Sequence, residues 1–270
     1  MSKPGRALLL PLLVIACVAG PAIAQDISTN LSWDHCVGDG RIADRTFACN
    51  TNSGEDVLVL SFVLHDSTRT GFAALGVKVD FTPVAASVPS WWRLLSGQCR
   101  ANAVSMSFDW SDPTLPPSSC LPWHGPAAQL SVLQYKYGPA DRFYADAGAA
   151  VPAGQEQVLL VGQEYLIARI KIRRSKTVGT GACEGCGVPV CIGFSQLLLQ
   201  YPGNHPYDYV AGAGLNTVTW QGGYVASYPT TSGRPCSHPS LCPYVNRLEC
   251  TLPPVPARGQ TWGVIKTLYR

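Results

Sequence analysis

Cysteine parity constrains this chain more than any other feature. There are eleven cysteines, and one of them, Cys17, lies inside an N-terminal segment shaped like an export signal. Without that segment ten remain: Cys36, Cys49, Cys99, Cys120, Cys183, Cys186, Cys191, Cys236, Cys242 and Cys250. An even set in an exported chain reads as a disulfide framework, because thiols pair where no reducing pool keeps them apart. The expected compartment is therefore oxidising, either periplasmic or extracellular.

Residues 1–24 carry the three parts of a secretory signal. Lys3 and Arg6 form a positive start, and Ala7 to Ala19 is an apolar run broken only by Pro11. Ala22-Ile23-Ala24 is a small-residue cleavage site. Cleavage after Ala24 leaves 246 residues. A competing reading takes Val14-Ile15-Ala16-Cys17 as a lipobox, with the mature protein anchored through a lipid on Cys17. The apolar run continues past Cys17, which favours cleavage after Ala24. No other segment is long and apolar enough to span a bilayer, so a soluble or peripheral mature chain is expected.

Hydrophobic residues make up 46% of the chain and charged residues only 14%, against about a quarter in ordinary domains. A core is affordable, and disorder is not expected. Removing Lys3 and Arg6 with the signal takes the formal charge from +3 to near +1. That balance gives no reason to expect nucleic acid as a partner. The 26 glycines and 22 prolines favour many turns over long helices.

The hydrophobic pattern is that of strands. Val57 to Leu64 is nearly unbroken, as in a strand buried on both faces. Ala73, Leu75, Val77, Val79 and Phe81 alternate with Lys78 and Asp80, the mark of a half-buried strand. In Tyr165 to Arg173, the pattern puts Leu166, Ala168, Ile170 and Ile172 on one face and Arg169, Lys171 and Arg173 on the other. Ala103–Phe108, Leu130–Tyr137, Val158–Val161, Ile192–Gln200 and Thr217–Trp220 complete the set. Turn signals such as Asn52-Ser53-Gly54, Pro202-Gly203-Asn204 and Gln221-Gly222-Gly223 separate them. The expected fold is all-β: a disulfide-stapled antiparallel β-sandwich over residues 25–252. Residues 253–270 read as a proline-rich linker and a short helical tail. In the tail Thr261 caps a turn, with Trp262, Ile265 and Leu268/Tyr269 on one face.

Cys36 and Cys49 bracket one loop, and Cys99 and Cys120 another, so each pair is expected to close on itself. That leaves two odd clusters, Cys183/Cys186/Cys191 and Cys236/Cys242/Cys250. If all six pair, at least one bridge joins the clusters. An alternative uses Cys183, Cys186 and Cys191 as zinc ligands completed by His205 or His238. The same CxxC also has the spacing of a redox pair, but its glycine-rich surroundings lack the helix start that activates such thiols.

Catalytic signatures are missing. Gly193-Phe194-Ser195-Gln196-Leu197 lacks the last glycine of a nucleophile elbow. His35, His65, His124, His205 and His238 show no metal spacing, and no cofactor is expected. A hydrolase site assembled from distant residues is the second functional reading. Asn50 to Asp56 with Asp34 and Asp39 supplies oxygens for calcium, or for a side-chain-stabilised turn. Arg169, Lys171, Arg173, Arg174 and Lys176 form a basic stripe, read either as a site for an anionic polymer or as protection against edge pairing. Most tryptophans are expected in the core. Trp92, Trp110 and Trp123 are kept as sugar-stacking candidates, with adjacent Trp91 and Trp92 pointing to opposite faces of a strand.

Three stretches carry a resemblance. They are Trp33-Asp34-x-Cys36 with Phe47-Ala48-Cys49-Asn50-Thr51-Asn52, then Trp91-Trp92 to Cys99-Arg100, and the ending Thr261-Trp262-Gly263-x-Ile265-Lys266-x-Leu268-Tyr269-Arg270. Together they resemble a group of uncharacterised secreted proteins of environmental bacteria, which implies secretion and a shared C-terminal ending. The strand order and the Gly71–Phe81 segment look like cohesin and related carbohydrate-associated β-sandwich modules. The expectation is a secreted, non-catalytic binding or structural module whose partner is a polysaccharide or a surface protein. Oligomeric state is not set by these features.

Overall fold

The computed structural model describes residues 27–108, 119–124, 130–137, 141–202, 208–210, 215–227 and 248–253. The expected signal, Cys17, Trp110, His205, Cys236, His238, Cys242 and the tail from residue 254 lie outside these. In chain order the strands are β1 (Ile27–Trp33), β2 (Asp44–Arg45), β3 (Glu55–Leu64), β4 (Arg69–Phe72), β5 (Ala74–Pro83), β6 (Val104–Ser107), β7 (Leu121–Pro122) and β8 (Leu130–Tyr137). There follow β9 (Phe143–Ala150), β10 (Gln157–Leu159), β11 (Glu164–Arg173), β12 (Val190–Gln200), β13 (Asp208–Val210), β14 (Thr217–Trp220), β15 (Tyr224–Ser227) and β16 (Glu249–Thr251). Short 3-10 turns at Val37–Asp39 and Ser90–Trp92 are the only helical elements among the described residues.

The fold is all-β and sandwich-like. One sheet runs β1-β3-β11-β6, with β7 beside β11. The other runs β2-β14-β12-β5-β9-β8, with β13 beside β12. Pairing is antiparallel except for β7 with β11 and β2 with β14. Two ribbons, β4–β10 and β15–β16, complete it. The core lies between the sheets: Leu58, Leu60, Phe62 and Leu64 face Val77, Val79, Phe81, Ile192, Phe194 and Leu197. Each sheet contributes alternate residues, as the pleat demands.

A bulge interrupts one long strand in each sheet. In β11 the register shifts between Leu166 and Ala168. The extra residue, Ile167, moves Leu166 to the opposite face from Ala168, Ile170 and Ile172, where it packs with Val57 and Val59. The uniform alternation expected from Tyr165 onward is corrected here, because one inserted residue reverses every side chain before it. In β12 the shift falls between Phe194 and Gln196, with Ser195 as the extra residue.

The first sheet is covered over part of its outer side. After β1 the chain crosses that face, and Glu164 accepts the backbone N–H groups of Val37 at 3.1 Å and Gly38 at 2.8 Å. Cys36 bonds to Cys120, and together they bury Val57, Val59 and Leu166. This explains the unbroken apolar run of β3, which is covered on both faces.

The disulfides correct the expected local pairs. Cys36 does not meet Cys49, and Cys99 does not meet Cys120. Among the described residues the bridges are Cys36–Cys120, Cys49–Cys186, Cys99–Cys183 and Cys191–Cys250, with sequence separations of 84, 137, 84 and 59. Each bridge joins sulfurs distant in sequence, brought together by the packing of the strands and loops that carry them. One bridge, Cys191–Cys250, does join the two odd clusters.

Candidate functional site

The tryptophans expected to stack on sugars are taken up by the core. Trp91 and Trp92 lie in the 3-10 turn Ser90–Trp92 rather than in a strand, and both are fully buried. Trp92 packs edge-on against Trp220 at 5.6 Å and beside Phe143 at 5.8 Å, while Trp91 stacks on Trp220 at 5.3 Å. Trp123 is 1% exposed and meets Phe72 edge-on at 4.9 Å. Neither Trp92 nor Trp123 offers a ring face to a ligand, and Trp110 is outside the described residues.

The zinc and redox readings of the Cys183 cluster are also overturned. Cys183, Cys186 and Cys191 belong to three different bridges, so the oxidised chain has no thiolate there to bind metal. Gly185, between the first two, has φ +96°, and a Cβ there would sit 2.3 Å from that of Pro89. The glycine lets the loop press against the Trp91 turn, where Glu184 accepts the Trp91 N–H at 2.8 Å. The CxxC spacing is thus a packing device.

The calcium candidates are engaged by protein groups. Asp56 takes two hydrogen bonds from Arg174, at 2.8 and 2.9 Å, and Asp34 pairs with Arg45. Asp39 receives the Ser119 N–H, and Asn52 Oδ1 receives those of Thr177 and Val178. The Asn50–Asp56 segment is a side-chain-stabilised turn. Among the described residues no group of three or more His, Cys, Asp or Glu side chains is placed to hold a metal ion.

Most of the basic stripe is similarly occupied, with Arg173 exposed at the end of β11. Arg169 is buried, Lys171 pairs with Glu55 at 3.5 Å, Arg174 holds Asp56, and Lys176 donates to the Cys99 carbonyl at 2.8 Å. Strand β11 is interior to its sheet, so edge protection is not its role either. Arg100 is a further cation that sequence reading passed over. It is 1% exposed, lies 3.4 Å over the Trp91 ring, and donates to the carbonyls of Trp91, Arg173 and Ser175. Burial lowers its pKa to about 9. It ties the Trp91 turn to the end of β11 and is structural.

His65 Nε2 lies 2.8 Å from Ser28 Oγ. The pair sits on an exposed strand end, and no described carboxylate orients the ring.

What remains is the outer face of the second sheet. Register places Gly193, Asp80 and Tyr144 in one row across β12, β5 and β9, and Gln196, Lys78 and Asp146 in the next. Leu198, Gly76 and Gly148 form the row beyond. Except for buried Gly193, these residues are half-buried. The Lys78 ammonium lies 4.2 Å over the Tyr144 ring.

The β12 bulge turns the Ser195 hydroxyl toward β5, where it donates to the Lys78 carbonyl at 3.2 Å and lies within hydrogen-bonding reach of Asp80. Burial raises the Asp80 pKa above its ordinary value of 3.8, Asp146 pushes it the same way, and Ser195, Lys78 and Arg142 oppose. Carboxylates displaced in this way concentrate at functional sites.

No protein-family model matches the chain, and no curated protein is significantly similar to it. The site is therefore read from its own chemistry.

Sequence pattern placed Lys78 and Asp80 on the outward side of one strand. Tyr144 and Asp146 escaped it because Phe143–Ala150 is rich in alanine and glycine, a composition that does not signal a strand. Ser195 escaped because its role depends on the bulge.

Proposed function

We propose that this protein is a secreted, non-catalytic binding module whose ligand face is the outer side of the second sheet, and that the ligand is a polysaccharide. One contrast carries the reading. On the first sheet's outer face Cys36 and Cys120 cover an apolar patch of Val57, Val59 and Leu166 beside the Lys171–Glu55 ion pair, while the second presents a half-exposed cluster of Lys78, Asp80, Tyr144, Asp146, Ser195 and Gln196. The cluster mixes donors and acceptors around one aromatic ring, which suits a hydroxyl-rich chain. Gly76 and Gly148 beside it carry no side chains, and Leu198 leans against Gly76 at the edge of the cluster. A protein partner would favour an apolar centre, which the cluster lacks. Export rests on the form of residues 1–24 and on disulfides that need an oxidising compartment. Among the described residues no helix is long and apolar enough to cross a membrane.

Retention of the purified, oxidised protein on insoluble cellulose, chitin and peptidoglycan tests this. Retention on one of them, weakened at least tenfold by Tyr144→Ala with Gln196→Ala, is expected. Retention on none, or equal retention of the variant, overturns it.

The hydrolase reading keeps one supporting observation: Asp80 and Asp146 are two neighbouring carboxylates, one with a raised pKa. Release of reducing ends from the retained polysaccharide, lost in Asp146→Asn, would favour catalysis over simple binding.

A further inference from the structure

We propose that binding on this face is coupled to proton uptake at Asp80, so that the module holds its polysaccharide more tightly as pH falls. The inference rests on the assignment of the outer face of the second sheet as the binding surface.

Asp80 occupies an interior strand, with β12 on one side and β9 on the other. From β12 it faces Gly193, which has no side chain, and the Ser195 hydroxyl. From β9 it faces Tyr144 in register, with Asp146 and Arg142 nearby, and on its own strand Lys78. It is the acid of this face that burial already disfavours as an anion.

A neutral, hydroxyl-rich ligand laid across the rows removes more of its water. Loss of water penalises the carboxylate more than the carboxylic acid. The acid form also turns an acceptor-only group into one that donates a hydrogen bond to a ligand hydroxyl. Lys78 and Arg142 pull the other way, but burial already outweighs them in the free protein, and further covering adds to the larger of these effects. The bound state therefore takes up a proton wherever free Asp80 is ionised.

The test is the dissociation constant for a retained polysaccharide between about pH 4 and pH 8. Wild-type protein is expected to weaken as pH rises, approaching tenfold per pH unit where one proton is fully linked. Asp80→Asn, a permanently neutral isostere, is expected to bind with one affinity across the range. A flat wild-type profile, a slope that survives in Asp80→Asn, or loss of binding by Asp80→Asn at every pH overturns the proton coupling. Tyr144→Ala separates the two levels. If it weakens binding and the slope is absent, the face stands and the coupling falls. If it binds like wild type, or if no polysaccharide is retained, the face assignment falls and the coupling with it.

Discussion

The two outer faces of the sandwich are built from the same pleated geometry and treated in opposite ways. On the first sheet, Val57, Val59 and Leu166 point outward and would be a liability in water, so Cys36 and its bridge partner Cys120 close over them. On the second, the outward positions of β5 and β9 are alanine, glycine, lysine, aspartate, threonine and tyrosine, with no large aliphatic side chain among them. A sealed face adds to stability; a polar, half-exposed face is free to serve recognition. If this division is right, substitutions on the first face register in unfolding experiments, and those on the second register in binding.

The largest effect is expected from cutting the staple. Cys36→Ala with Cys120→Ala opens a loop closed over 84 residues, and the oxidised protein should lose about 3–5 kcal/mol in denaturant unfolding. A loss below about 1 kcal/mol would mean the lid holds without its bridge.

Next comes Leu166→Ala, at 2% exposure. It should cost about 2–4 kcal/mol, as for a core leucine, although it lies outside the space between the sheets. A cost of a few tenths would show that this face is sealed in form only.

Asp80→Asn is expected to act in the other direction. A raised carboxyl pKa in the folded state contributes stability that is fully present below the unfolded value, near 3.8, and is lost as pH rises through the folded value. The variant should therefore match wild type in strong acid and melt higher at neutral pH, a difference readable as Tm against pH. Equal melting at neutral pH would remove Asp80 from the list of displaced acids.

Gln196→Ala should change stability least, within about 0.5 kcal/mol. A larger loss would make the second face as structural as the first.

The contrast between the faces was only half legible in the sequence. The unbroken apolar run of β3 announced a strand covered on both sides, and the alternation of β5 announced one with a polar outer face. What covers β3 was hidden, because Cys36 finds its partner beyond five intervening strands and local bracketing pointed to Cys49. The phase of β11 was hidden as well. Ile167 is as apolar as its neighbours, so nothing in the pattern marks it as the residue that slips the register. Trp91-Trp92 looked like strand because adjacent aromatics suit strands. They sit instead in a turn whose packing depends on Gly185, nearly a hundred residues later. The candidate site suffers the same limit, since Asp80 acquires Tyr144, Asp146 and Ser195 only through cross-strand registers.

The bridge between Cys191 and Cys250 has a mechanical consequence. Strand β16 belongs to a short two-strand ribbon, held by few backbone bonds, and Cys250 is joined through its sulfur to β12, which lies between β14 and β5 inside the second sheet. A pull on the chain beyond Pro253 would peel an unbridged ribbon strand by strand. With the bridge in place, the load passes from Cys250 into β12 and spreads by shear across β14 and β5 on either side of it.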